Sequence, residues 1–120
     1  MIGQVDDAGR ALLDLELRSA PDAADQVISA WIDTGFTVDL VLPQSIIDQL
    51  ALPFAGAVEA VLADGSKVKL KVYACYIQWF NALLELEVVA NDGACPLLGV
   101  GLLFDRDLRI DYRSKVITLK

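Results

Sequence analysis

A chain of 120 residues falls in the single-domain range and can bury a core without disulfides or metals to hold it. Ten Lys and Arg against 17 Asp and Glu give a net charge of -7. With no basic run to follow a phosphate backbone, nucleic acid is excluded as a partner. Histidine is absent, which removes Ser-His-Asp and Cys-His hydrolysis together with histidine-bound metal.

Any catalytic chemistry in such a chain rests on carboxylates. Cys75 and Cys95 lie far apart, with no Cys-x-x-Cys pair, and read as two reduced, mostly buried thiols rather than a metal site. No cofactor is implied. Hydrophobic residues make up 55% of the chain, above the roughly 45–50% of an ordinary soluble domain. The longest nearly apolar stretch, Ala94–Phe104, is too short for a membrane span and is broken by Pro96, Gly99 and Gly101. The apolar surplus therefore points to a subunit interface. Met1–Arg10 carries Asp6 and Asp7 and no apolar leader core, which suggests a cytoplasmic setting.

In chain order, Leu13, Leu15 and Leu17 alternate with Asp14, Glu16 and Arg18, the pattern of a strand with one wet face. Gln26–Ile32 is a second, more apolar strand that ends at Asp33-Thr34-Gly35. A strand over Val38–Leu42 stops at Pro43, which opens a short helix because Ile46, Ile47 and Leu50 recur at helical spacing; the helix ends near Leu52-Pro53. Asp39 is placed on this strand, facing solvent. Ala57–Leu62 and Lys67–Tyr76 flank Ala63-Asp64-Gly65-Ser66, a hairpin signal. In its second arm Val68, Leu70, Val72 and Ala74 face one way and Lys67, Lys69 and Lys71 the other. Leu84, Leu86 and Val88 form another alternating strand, closed by the turn Asn91-Asp92-Gly93. Trp79 and Phe80 are assigned to core packing. After Leu97-Leu98-Gly99 come a short helical segment, Val100–Phe104, and a hairpin of Leu108–Tyr112 with Val116–Leu119. The fold class is all-β: one domain over residues 1–120, a barrel with one or two short helices.

Asp33-Thr34-Gly35 is the candidate site. Three specified residues in a row arise by chance on the order of a few per cent of the time in a chain of this length. The setting is more telling. Val27, Ile28, Ala30, Trp31 and Ile32 deliver the aspartate, and Leu40, Val41 and Leu42 lead away from it. That places a carboxylate at the edge of an apolar barrel, where burial penalises the ionised form.

Trp31-Ile32-Asp33-Thr34-Gly35-Phe36-Thr37 resembles the active-site turn of retropepsin-like aspartic proteases, and Val38–Pro43 looks like its continuation in small stand-alone prokaryotic members. Asp64-Gly65 stands where that family has its flap tip. Leu97-Leu98-Gly99 resembles the hydrophobic-hydrophobic-Gly segment before its last helix. The likeness runs from about Leu12 to Leu119. It implies an acid-protease barrel and an aspartic endopeptidase. In such an enzyme Asp33 activates water, Thr34 hydrogen-bonds to a partner's turn, and Gly35 lets the chain pass close by. Asp64, Gly65 and Ser66 cover the peptide, and Leu97, Leu98 and Gly99 support the turn from behind. Family chemistry uses two carboxylates sharing a proton. This chain has one Asp-Thr-Gly, so the resemblance implies a homodimer acting on peptide substrates, with Val116–Leu119 as the interface candidate. The flap holds a single glycine and Val100-Gly101 follows Gly99, both departures from the family's pattern. The second reading is a retropepsin-like module that keeps dimerisation or peptide binding without catalysis.

Overall fold

The computed structural model describes all of residues 1–120. Its elements are β1 (Ile2–Val5), β2 (Ala11–Arg18), β3 (Gln26–Ile32), β4 (Leu40–Pro43), α1 (Gln44–Leu50), β5 (Phe54–Val61), β6 (Lys67–Trp79), β7 (Ala82–Asn91), β8 (Leu97–Leu98), a 3₁₀ turn Val100–Leu102, β9 (Leu108–Asp111) and β10 (Val116–Leu119). The strands join in one sheet, ordered β5-β6-β7-β4-β8-β3-β2-β1-β10-β9. One additional pairing closes it. The end of β2 pairs with β6, Leu17 opposite Ile77 and Arg18 opposite Tyr76. Strands β6, β7, β4, β8, β3 and β2 thus form a closed circuit. The β5 arm projects from one side, and β1, β10 and β9 extend the other.

Period-two patterning explains the core. Leu13, Leu15 and Leu17 point into the circuit and are at most 1% exposed. Full burial of each stabilises by about 1.5–3 kcal/mol. They join a cluster of 22 buried residues that includes Ala30, Leu40, Leu42, Ile77, Val88, Leu98 and Ile117. On β6 the buried face changes along the strand. Val72 packs with Val41 and Val89 in a small separate cluster, whereas Cys75, Ile77 and Trp79 enter the main core. The first half of β6 belongs to the projecting hairpin and the second to the closed circuit, so each half buries the opposite face. The alternating set read from the sequence therefore stops short of Cys75.

Several boundaries differ from the sequence reading. Residues 38 and 39 precede β4, which begins at Leu40 and includes Pro43. Helix α1 stops at Leu50, where Ala51 takes a left-handed conformation (φ 54°). Strand β1 was not legible, because four residues of mixed polarity carry no period. The β6–β7 hairpin turns on Phe80 and Asn81, at φ 49° and 67°. Both central residues of this two-residue loop are at positive φ, a geometry usually signalled by Asn-Gly. Trp79 is buried, edge-on to Phe80 with ring centroids 5.1 Å apart. The Arg106 guanidinium lies 3.7 Å over the Phe80 ring. No helix is long and apolar enough to cross a membrane.

Candidate active site

Asp33 follows directly on β3, whose last residue, Ile32, is buried. The strand's parallel ladder to β8 sets the position of the aspartate: Trp31 pairs with Leu97 and Ile32 with Leu98. The Asp33 N–H then donates to the Leu98 carbonyl at 2.9 Å. The Asp33 side chain is half-buried, while Thr34, Gly35, Phe36 and Thr37 are exposed. Its Oδ1 accepts the Gly35 N–H at 2.9 Å, and its carbonyl accepts the Phe36 N–H at 3.3 Å. A Cβ on residue 35 would stand 3.0 Å from that same Oδ1, so glycine keeps the carboxylate face open. Thr34 makes no side-chain hydrogen bond within the chain.

Support comes from behind. Strand β8 lies between β3 and β4, parallel to the first and antiparallel to the second. Beyond it the backbone fastens to the outgoing arm of the turn. The N–H groups of Gly99, Val100 and Gly101 donate to the carbonyls of Asp39 (3.0 Å), Phe36 (2.8 Å) and Val38 (3.3 Å). At Gly99 a Cβ would overlap the Val38 carbonyl oxygen, and at Gly101 it would overlap Asp39 Oδ1. Asp33, Gly35, Leu97, Leu98 and Gly99 are therefore brought into one assembly. The carbonyls of Phe36, Val38 and Asp39 and the second glycine, Gly101, belong to it too. The sequence reading noted Val100-Gly101 only as a departure from the family's pattern.

Asp39 departs from its expected solvent-facing place. It is half-buried, and burial raises its carboxyl pKa, with the negative charge of Glu87 adding to the effect. A cavity of about 260 Å³ opens beside it, walled by Thr37, Val38, Val58, Val72 and Val89 as well as Glu87. Val58 belongs to β5, so this cavity joins the outgoing arm of the Asp33 turn to the base of the hairpin. A larger cavity of about 500 Å³, between Gln44, Lys69, Lys71 and Asn91, touches no residue of the turn.

The hairpin β5–β6 carries Asp64, Gly65 and Ser66 at its exposed tip. Gly65 sits at φ +85°, a conformation that favours glycine. Asp64 Oδ1 accepts both the Ser66 N–H at 2.9 Å and the Ser66 hydroxyl at 2.6 Å. Those bonds hold its carboxyl below the ordinary carboxylate range, the hydroxyl bond most strongly. No hydrogen bond ties the tip to the Asp33 turn. Val61 and Leu62, beside it, are exposed apolar residues at 67% and 47%. Both cysteines are free, Cys75 buried and Cys95 half-buried. No group of three or more Cys, Asp or Glu side chains converges on a metal-sized site.

An aspartate turn between two strands of a closed circuit, braced by a two-residue strand and flanked by a projecting hairpin, defines the retropepsin-like fold, and this chain has it. A retropepsin-like aspartic protease from Rickettsia conorii is similar over 99% of this chain and 88% of its own, at 17% identity and a TM-score of 0.67. EIAV protease complexed with the inhibitor HBY-793 covers 80% of this chain and 86% of its own at 17% identity (TM-score 0.58). Simian foamy virus (mac) protease covers 77% and 90% at 20% identity (TM-score 0.53). No protein-family model and no curated protein sequence matches the chain.

Proposed function

We propose that the chain is a homodimeric aspartic endopeptidase in which two Asp33 carboxylates, one from each subunit, share a proton. The observation that carries this reading is the placement of Asp33. It is half-buried between two strands, its backbone is fixed by Leu98, and its carboxylate is oriented by the Gly35 N–H. In the reaction the ionised Asp33 takes a proton from a water molecule as that water attacks the scissile carbonyl. The protonated Asp33 of the other subunit donates a hydrogen bond to the carbonyl oxygen. The proton taken from water passes to the leaving amine, and no covalent intermediate forms.

Thr34, exposed and without a hydrogen bond in its own chain, is available to the partner's turn. Asp64, Gly65 and Ser66 lie over the peptide and exclude bulk water. Leu97, Leu98 and Gly99 hold the turn from behind. The single glycine at the tip and the Asp64–Ser66 bonds that stiffen it favour a second reading, a module that binds peptides without cleaving them. One experiment separates the two: cleavage of a peptide library by wild type and Asp33→Asn between pH 3 and 7, with sedimentation of both. The endopeptidase reading expects cleavage by a wild-type dimer and none by Asp33→Asn. Equal cleavage by the two proteins, or cleavage by a strict monomer, refutes it.

A further inference from the structure

Three lysines stand in a row on one face of β6, and only one of them has an ionic partner. Leu70 and Val72 pack with Val41 and Val89, so by strand alternation Lys67, Lys69 and Lys71 leave by the other face. Lys67 reaches Glu59 at 3.4 Å. Glu59 is the cross-strand neighbour of Lys69, yet Lys69 and Lys71 have no carboxylate in ion-pair range, although the chain carries 17 acidic residues. Lysines often blunt the edge of a sheet. Strand β6 is not an edge, since it lies between β5 and β7.

The backbone makes room beside these two cations. The ladder between β6 and β7 runs from Trp79 opposite Ala82 to Val72 opposite Val89 and goes no further. Beyond that point β6 continues with β5, whereas β7 stays beside β4, with Pro43 opposite Asn91. The strands part, and the opening is the cavity of about 500 Å³, walled by Lys69, Leu70 and Lys71 on one side and by Ala90, Asn91 and Gln44 on the other. Two amides in it are fixed. Gln44 Nε2 donates to Asp48 Oδ1 at 3.0 Å and to the Tyr73 hydroxyl at 3.2 Å. Asn91 Oδ1 accepts the Gly93 N–H at 3.2 Å, which leaves Asn91 Nδ2 as a free donor.

We propose that this gap binds a small organic phosphate, a phosphate monoester, through Lys69 and Lys71. Their Cα atoms are about 7 Å apart along the strand, so both flexible stems can bring an ammonium onto one phosphoryl group. Two point charges match a dianion, whereas a single carboxylate leaves one of them unanswered. Asn91 Nδ2 adds a hydrogen bond, and Leu70 and Ala90 give the organic part an apolar wall. The volume lies in the range of small-molecule sites, roughly 300–1,000 Å³, and exceeds what a bare phosphate fills. Asp92 also lines the cavity, without an ion pair of its own, and its charge opposes the ligand. Two positive charges against one negative set a modest affinity. They also give the site a signature, because removing the Asp92 charge strengthens binding. The ligand would touch β6, β7 and the first residue of α1 together, at the root of the hairpin and clear of the Asp33 turn.

Thermal melts of the full chain at pH 8, with ionic strength held constant by sodium chloride, test the site with phenyl phosphate as the probe. The wild-type Tm is expected to rise and to saturate in the millimolar range. Lys69→Gln/Lys71→Gln is expected to weaken the apparent Kd at least tenfold, and Asp92→Asn to tighten it. Lys67→Gln, on the same strand but outside the cavity, stays within about twofold of wild type. Inorganic phosphate lacks the apolar part and benzoate the second charge, and both are expected to bind more weakly. Amide NMR locates the ligand without any substitution: the largest shifts should fall at residues 69–71 and 90–93. A Tm rise shared equally by wild type and Lys69→Gln/Lys71→Gln is a solvent effect of the salt, and it overturns the proposal. So do an absent rise, weaker binding by Asp92→Asn, benzoate or inorganic phosphate binding as tightly as the ester, or shifts centred elsewhere. None of these outcomes depends on whether the chain cleaves peptides.

Discussion

Replacing Gly99 with alanine tests whether β8 and the chain beyond it carry the Asp33 turn. Elsewhere Gly→Ala gains about 0.4–1 kcal/mol by restricting the unfolded chain, provided the backbone suits alanine. Gly99, at φ -93° and ψ 175°, does suit it. The sign is decided by space. A Cβ there overlaps the Val38 carbonyl oxygen and comes within 3.0 Å of the Val38 carbonyl carbon and 3.1 Å of the Phe36 oxygen. All of these are backbone atoms, and the strand cannot back away without stretching the bonds from Gly99, Val100 and Gly101 to Asp39, Phe36 and Val38. Overpacking costs about 1–3 kcal/mol, and each weakened hydrogen bond about 0.5–1.5 kcal/mol. After the entropic gain is subtracted, a net loss of about 2–4 kcal/mol is expected. At about 2.1 cal/mol/K per residue, 120 residues convert each kcal/mol into roughly 4 °C of Tm, so the shift is about 8–16 °C. Urea melts of Gly99→Ala and of Gly93→Ala at equal protein concentration check this. Gly93 is the control, since its Cβ would meet only Asn91 side-chain atoms at 3.4 Å or more. If Gly99→Ala melts with Gly93→Ala, the close crossing behind the turn is not what holds it.

Asp39→Asn should separate burial from charge. With a folded pKa raised by burial and then by Glu87, the folded state holds the Asp39 proton to higher pH than the unfolded chain does. The unfolded state releases its proton first, so this contribution to stability is lost as pH rises from about 3.8 through the folded value. Urea midpoints at pH 3, 5 and 7 should show Asn gaining on wild type as pH rises; a constant gap would contradict the assignment. For the thiols, burial pushes Cys75 up to about 11, and its Sγ lies 3.7 Å from the Arg18 carbonyl oxygen and 3.5 Å from that of Tyr76. A disulfide reagent at pH 8 should modify one thiol per native chain promptly, and Cys95→Ser should abolish that phase. Two equally fast phases would show that Cys75 is accessible.

Elements with a clean period were legible in the sequence. The Leu13-Leu15-Leu17 strand, Gln26–Ile32, the Asp64-Gly65 hairpin and Val116–Leu119 all stand where alternation and turn chemistry placed them. Strand β8 carried no such signal. Two leucines have no measurable period, and their strand character comes from ladders to β3 and β4 that lie far off in sequence. Asp39 was misplaced for the same reason: local polarity assigned it to solvent, but the backbone of Gly99–Gly101 returns to cover it. The β6 face switch follows from tertiary closure, because only the β2 pairing with Ile77 and Tyr76 decides which side of the strand is inside. Asp33 is a candidate read from a signal that is chemical and local, whereas the ladders and hydrogen bonds that position it are topological.

That division bears on how the site can be dissected. The Asp33 carboxylate accepts one hydrogen bond, from Gly35, and the residues around it on the turn are exposed. Its removal as Asp33→Asn costs at most about 1.5 kcal/mol, since the amide oxygen can still accept that bond. The backbone scaffold is different: Leu98 is fully buried, and its carbonyl holds the Asp33 N–H. Truncating Leu98 removes packing worth about 2–5 kcal/mol and loosens the aspartate with it. A change in the carboxylate therefore reads out chemistry at nearly constant stability, while a change in Leu98 or Gly99 moves both. Activity lost in Asp33→Asn with an unchanged melt assigns the loss to the carboxylate itself, not to a turn that has come apart.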